Sequence, residues 1–342
     1  MEQVLKEKKA GLSFFEKYLA GWIVLCMAAG IAISKVMPGV ATAINAAQVG
    51  GISVPIGICL FMMMYPAVLN LQLDELKKLT RNPKPILLTL AANWIFAPII
   101  GLVMANLFLD GHPELKVAII LLSASPCTAM VLVWGAMAEG NQEQNVVNTG
   151  INTITIMFLY APLVALMTGL QDIPIDRMGL AISVLVFIGL PIVLGLISRK
   201  YITAVKGQQW FVEVYRPFVG KLAIVALLIT LVVLFALNGN TLLLNPEYLL
   251  LVSVPLLLGF AIILVINILL TKLFRLQYKE AIITVIIGSS SHFEIAIATA
   301  IAAYGVGSVA ALGTTMGLFW EIPIMLSIVY LGKYLRDKNF WK

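Results

Sequence analysis

The sequence predicts an all-α membrane protein of ten transmembrane helices, built as two inverted five-helix repeats in which broken helices 4 and 9 cross. Three observations predict it. Of the 342 residues, 61% are hydrophobic and 12% charged, with a mean hydropathy of +0.98, whereas an ordinary soluble domain carries about 25% charged residues. The basic residues fall almost wholly on one side of a ten-span topology. Two apolar segments, at matching places in the two halves, are interrupted by polar residues where the membrane midplane should lie.

Residues 1–18 are polar, with Lys6, Lys8, Lys9 and Lys17 among three glutamates. No small-residue cleavage site follows the first apolar run, so that run reads as a retained first span. Spans are expected near 19–37, 51–69, 85–109, 117–138, 146–170, 178–198, 219–238, 247–271, 281–304 and 308–332. Each is long enough to cross about 30 Å of hydrocarbon. The links 139–147 and 304–308 are short enough to make hairpins of the spans they join. The chain then divides into a cytoplasmic segment 1–18, repeats 19–170 and 178–332, and a cytoplasmic tail 333–342.

With the N-terminus in the cytoplasm, 20 of the 23 Lys and Arg residues lie on that side; Lys35, Lys116 and Arg177 lie on the other. This is a strong positive-inside signal for ten spans in a cell membrane with both termini cytoplasmic. Five is odd, so the two halves are inverted. The net charge of +6 is accounted for by topology and calls for no nucleic acid. Cys26, Cys59 and Cys127 all lie in apolar runs, so neither a disulfide framework nor a metal-binding spacing is on offer. No cofactor motif is present.

The fourth span reads KVAIILLSASPCTAMVLVWGAMAEG from Lys116 to Gly140, with Ser123 to Thr128 interrupting the apolar run. Pro126 removes a backbone donor and restricts the residue before it, so the helix should break there. The ninth span repeats the plan from Lys279 to Gly305, interrupted from Gly288 to Glu294. With Lys279 laid on Lys116, Ser290 falls on Cys127 and Asn245-Pro246 falls on Asn82-Pro83; Phe319 to Pro323 matches Phe158 to Pro162 after a two-residue gap. Broken helices are tolerated where they are buried in protein or line a watery cavity, and they point to the binding site of a secondary transporter.

Of seventeen acidic residues, only Glu294 and Glu321 lie in span interiors, and no Lys or Arg does. An intramembrane charge costs about 2.5–3.5 kcal/mol on insertion scales, so each is a functional candidate facing a cavity. The plainer alternatives are a protonated Glu321 bonded to broken-helix backbone and a Glu294 that caps its own half-helix. His292 either relays protons with Glu294 or bonds a freed carbonyl. Asn93 and Asn152 either line the cavity or join helices. Cys127 is either a small hydrophobe or a soft ligand beside Ser125, Thr128, Ser290 and Ser291, suited to a thiophilic solute.

These residues carry a resemblance. Met62 to Pro66, Asn93-Trp94 with Pro98, Pro126-Cys127-Thr128-Ala129-Met130-Val131 with Val133-Trp134, Phe293-Glu294 and Glu321-Ile322-Pro323 are similar to the arsenite efflux permease family of the bile acid, arsenite and riboflavin transporter superfamily. The resemblance covers most of the chain, and the fourth-span string is its specific part. It implies ten spans, paired broken helices, and export of arsenite or antimonite driven by proton exchange, with arsenic on Cys127 and the late glutamate at Glu321. The chain departs from the family pattern at Asn152-Thr153 and at Ser291-His292-Phe293-Glu294. The same inverted repeat also suits a sodium-coupled symporter of an organic anion, with the Ser289 to Ser291 carbonyls and Glu294 holding sodium. The short loops and the lack of a nucleophile–base pattern speak against an enzyme.

Overall fold

The computed structural model describes residues 18–37, 39, 48–49, 52–69, 83–128, 130–244, 246–305 and 307–341. The expectations for residues 1–17 and for the 70–82 connection lie outside these. Among the described residues the named elements are helices except for a two-residue ladder of β1 (Gln48–Val49) with β2 (Ile52–Ser53). The first half holds α1 (Leu19–Val36), α2 (Val54–Leu69), α3 (Pro83–Phe108), α4 (Pro113–Ser123), α5 (Val131–Met137) and α6 (Gln142–Gly169). The second holds α7 (Arg177–Lys206), α8 (Gln208–Gly239, continuing to Leu244), α9 (Glu247–Leu273), α10 (Tyr278–Gly288), α11 (Phe293–Tyr304) and α12 (Val309–Asp337).

Six of these, α3, α6, α7, α8, α9 and α12, are long and apolar enough to cross a membrane; α1, α2 and α11 contribute shorter apolar helices. Large apolar side chains stay exposed along them, such as Leu107, Phe158, Ile197, Phe218 and Leu269. That is unfavourable in water and natural against lipid. The protein is a multi-pass membrane protein.

Local chemistry sets three of the helix starts. The Asn141 side chain accepts from Gln144 N–H at 3.2 Å to start α6, Asp176 accepts from Met178 N–H at 3.0 Å to start α7, and Ser308 accepts from Ala311 N–H at 3.1 Å to start α12. These are side-chain N-caps. The second span, expected from residue 51, begins as helix at Val54 because Ile52 and Ser53 are drawn into the ladder and Pro55 suits a helix's first turn.

Three helices carry one wide turn each, at Ala92–Phe96, Leu185–Gly189 and Phe211–Tyr215, where the next N–H bonds a carbonyl five residues back. In each a proline follows two residues later, at Pro98, Pro191 and Pro217. The ring would strike the carbonyl four residues before it, and widening the turn moves that carbonyl aside.

Two groups of helices result. In one, α8 lies along α1 and α2, and α7 along α2. In the other, α4 packs on α3 and α12, α9 on α3 and α10, and α11 on α12. The centre of the second group is the interrupted pair α10–α11, where every residue from Ala281 to Ile301 is buried, its polar break included. At one end of this group Tyr278 donates to the Ala138 carbonyl at 2.7 Å, and Glu139 bridges to Lys333 at 3.3 Å and Arg336 at 2.9 Å, tying the end of α5 to that of α12.

Candidate functional site

Both breaks fall where the sequence put them, and they meet. The chain leaves α4 at Ser123 and enters α5 at Val131; it leaves α10 at Gly288 and enters α11 at Phe293. Pro126 and Ser291 pair in an antiparallel bridge, and the His292 N–H donates to the Ser125 carbonyl at 2.7 Å. Each loop thereby satisfies backbone that its own helix has lost, which a buried break requires.

Side chains complete the accounting. The Ser125 hydroxyl turns back to the Leu122 carbonyl at 3.0 Å, closing α4. Cys127 is 1% exposed, and its carbonyl accepts from Asn152 Nδ2 at 3.3 Å. Asn152 Oδ1 in turn accepts from Asn93 Nδ2 at 3.2 Å. Asn93 and Asn152 therefore act on the fourth-span break from α3 and α6. On the ninth-span side, Ser290 and Ser291 donate to the two oxygens of the Glu321 carboxyl at 3.2 and 3.0 Å. Glu321 sits near the middle of α12, 2% exposed, held by the loop it faces.

His292 stands between the two loops. Its Nε2 is 3.5 Å from Thr128 Oγ1 and 3.5 Å from Glu294 Oε2, while its Nδ1 has no partner. Glu294 lies in the first turn of α11, and at 3.5 Å its contact with His292 is too long to count as a good hydrogen bond, so Glu294 Oε2 is an unsatisfied buried oxygen. Glu294 and Glu321 are both buried, at 6% and 2% exposure. No lysine or arginine bridges to either among the described residues.

Thr128, Thr153 and His292 line a cavity whose other wall is Met64, Val68, Phe187 and Ile188 from α2 and α7. It therefore lies between the two helix groups. A second cavity, walled by Gly101, Ser123, Gly259 and Phe260, reaches the other face of the break at Ser289 to Ser291. Residues that sequence reasoning missed are Thr153, Asn148 and Thr89, the last two joined at 3.0 Å, and Asn267, which donates to Ser289 at 3.0 Å. The spacing of Asn148, Asn152 and Thr153 on one helical face was the available signal. Cys26 and Cys59 are half-buried on α1 and α2, with Cys59 beside Thr230 of α8.

The model of the sodium bile acid symporter family matches residues 57–245. An arsenical-resistance protein of Alkaliphilus metalliredigens is 33% identical over 345 residues, 98% of this chain and 96% of that protein. The chain belongs to the sodium bile acid symporter family, in its arsenite permease branch. A second arsenical-resistance protein, from Corynebacterium glutamicum, is 30% identical over 98% of this chain and 93% of its own length. A Synechocystis protein named only as an uncharacterized transporter is 37% identical over 98% of this chain and 92% of its own length. The family is one of membrane transporters, and this permease has the helical make-up of one.

Proposed function

We propose that this permease exports arsenite, and antimonite by the same chemistry, from the cytoplasm in exchange for protons. The observation that carries the reading is the meeting of the two breaks, which gathers Cys127, Thr128, His292, Glu294 and the Ser290–Ser291–Glu321 cluster in one buried place. The arsenical-resistance names of two full-length relatives support the substrate. In this reading the chain crosses the cell membrane ten times with both ends in the cytoplasm, and 19–170 and 178–332 are inverted halves whose broken helices cross near the midplane.

Arsenite at neutral pH is an uncharged triol, so its export against a gradient needs a coupled ion. The Cys127 thiol condenses with one arsenic hydroxyl, forming an As–S bond and releasing water; the reverse step frees arsenite. Glu294 and Glu321 supply the coupling. Two buried carboxylates with no lysine or arginine beside them cost several kcal/mol each if both are charged, so a proton or cation must accompany them. When Glu321 is ionised, the hydroxyls of Ser290 and Ser291 donate to it. When it takes a proton, the carbonyl oxygen still accepts from one serine, while the new O–H turns the other hydroxyl away. This switch lets proton binding and solute binding alternate.

Arsenite uptake into everted membrane vesicles tests the reading, with the proton gradient and sodium varied separately. Accumulation should collapse with a protonophore, ignore sodium, and fail in Cys127→Ala. Unimpaired transport in that variant removes the thiol from the mechanism. A second reading, sodium-coupled symport of an organic anion, is favoured by the family's sodium bile acid members and by the serine oxygens beside Glu294. Accumulation that follows sodium, with no arsenite movement, would select it.

A further inference from the structure

Gln144, Asn145, Asn148, Thr149, Asn152 and Thr153 form a stripe down one face of α6, and all six are buried. The last two belong to the site above. The first four lie on the turns that lead to it from the start of the helix, and the amide donors of Gln144, Asn145 and Asn148 are engaged. Gln144 Nε2 donates to the Glu280 carbonyl and to Thr284 Oγ1, both at 3.2 Å; Asn145 Nδ2 donates to the Val131 carbonyl at 3.1 Å; Asn148 Nδ2 donates to Thr89 Oγ1 at 3.0 Å.

These partners decide which way each amide faces. A backbone carbonyl only accepts, and the Thr89 hydroxyl gives its proton to the Pro85 carbonyl at 2.8 Å. Each amide must therefore turn its NH2 to the partner and its oxygen away. Gln144 Oε1, Asn145 Oδ1, Asn148 Oδ1 and Thr149 Oγ1 are left buried with no hydrogen-bond partner in the protein. Unmet acceptors are rare in interiors, and four within two turns of one helix require an explanation.

All four are oxygens and none is a carboxylate. A cation held here would be buried with no opposing charge beside it, at a cost of several kcal/mol, so the guest that fits is water. We propose that the first turns of α6 seat a column of buried water, and that this column carries protons to the crossover. Its outer end lies beside Glu143, Lys279 and Glu280, at the starts of α6 and α10. Its inner end reaches Thr153, which shares a cavity with Thr128 and His292. His292 then hands on to Glu294. The water column stands on the stranded oxygens alone; its proton-carrying role rests on the proton exchange proposed above.

Thr149→Val tests both parts, because it trades the stranded hydroxyl for a methyl of the same shape; Thr149→Ser keeps the oxygen. Purified protein is labelled by hydroxyl radicals in 18O-water, its thermal stability is followed, and proton uptake on arsenite addition is read in proteoliposomes with a pH dye. We expect strong labelling of the peptide 142–153 in the parent and Thr149→Ser. Thr149→Val should lose several-fold of that labelling, melt a few degrees lower, and take up protons several-fold more slowly at unchanged arsenite affinity. An unlabelled parent peptide, or a Thr149→Val protein more stable than the parent, overturns the water column. Labelling lost with proton uptake unchanged overturns the route. A parent that moves no arsenite overturns the functional reading and the route, while the labelling still decides whether the column exists.

Discussion

Asn152→Ala tests how the fourth-span break is held in place. The Asn152 amide joins two elements, donating to the Cys127 carbonyl at 3.3 Å and accepting from Asn93 Nδ2 at 3.2 Å. Cys127 is 1% exposed and Asn152 is fully buried at 0%, so bulk water replaces neither bond. Alanine strands one acceptor and one donor, at about 1–3 kcal/mol each. Asn93 can turn to recover part of its share, which leaves about 2 kcal/mol in all. That corresponds to about 30-fold in the population holding the native break. We expect initial arsenite uptake at subsaturating substrate to fall by about that factor, measured in everted vesicles and normalised to folded carrier. Asn93→Ala alone strands only the Asn152 oxygen. The double variant should cost less than the sum of the singles by about 1 kcal/mol, because both remove one shared bond. Parental uptake in Asn152→Ala, or strictly additive singles, would refute this account of the break.

Glu321→Gln keeps an acceptor oxygen for one of Ser290 and Ser291 and turns its NH2 to the oxygen of the other, but has no titrating group, so the protein should fold and bind arsenite yet lose accumulation driven by an imposed proton gradient; full accumulation in vesicles would contradict its role. Gly288→Ala puts a Cβ 2.8 Å from Ala92 Cβ and 2.9 Å from Asn267 Nδ2, overpacking that costs about 1–3 kcal/mol and should show as faster thermal inactivation in detergent. At the far end of the bundle, hydrogen bonds from Lys333 and Arg336 hold the Glu139 carboxyl below the usual carboxylate range. A depressed carboxylate stabilises above its unfolded pKa and loses that contribution as pH falls through the folded value. The Glu139 side chain is 61% exposed, so solvent screening limits the tie to about 0–1 kcal/mol. Glu139→Gln should lower the melting temperature slightly at neutral pH and match the parent once the pH falls below the depressed folded value.

How far the sequence reached depends on how local each cause was. The broken spans were legible because an interruption at Ser123 to Thr128 inside an apolar run is a property of consecutive residues, and Pro126 acts on its own neighbours. The starts of α6, α7 and α12 have equally local causes, since capping by Asn141, Asp176 and Ser308 needs two or three residues of chain. The helix of α2 starts at Val54, three residues inside its apolar run, because Ile52 answers to Val49 in a ladder. The wide turns show the limit even of local rules. Pro98, Pro191 and Pro217 each follow one, whereas Pro66, Pro162, Pro255 and Pro323 sit inside regular α-helix.

The sequence by itself determined that this protein lives in a membrane, where its chain breaks, and which two carboxyl groups lie in the spans. Burial of apolar side chains and exclusion of charge from lipid act on every residue independently, so composition and position suffice to read them. Only the tertiary structure decided what each polar group meets. That Pro126 pairs with Ser291, that Glu321 is held by two serines from the ninth-span loop, and that the α6 stripe keeps four oxygens unmet all depend on which helix faces touch. A hydrogen bond spans about 3 Å and a set angle. Its partner is chosen by how the helices pack, which no stretch of the chain encodes alone.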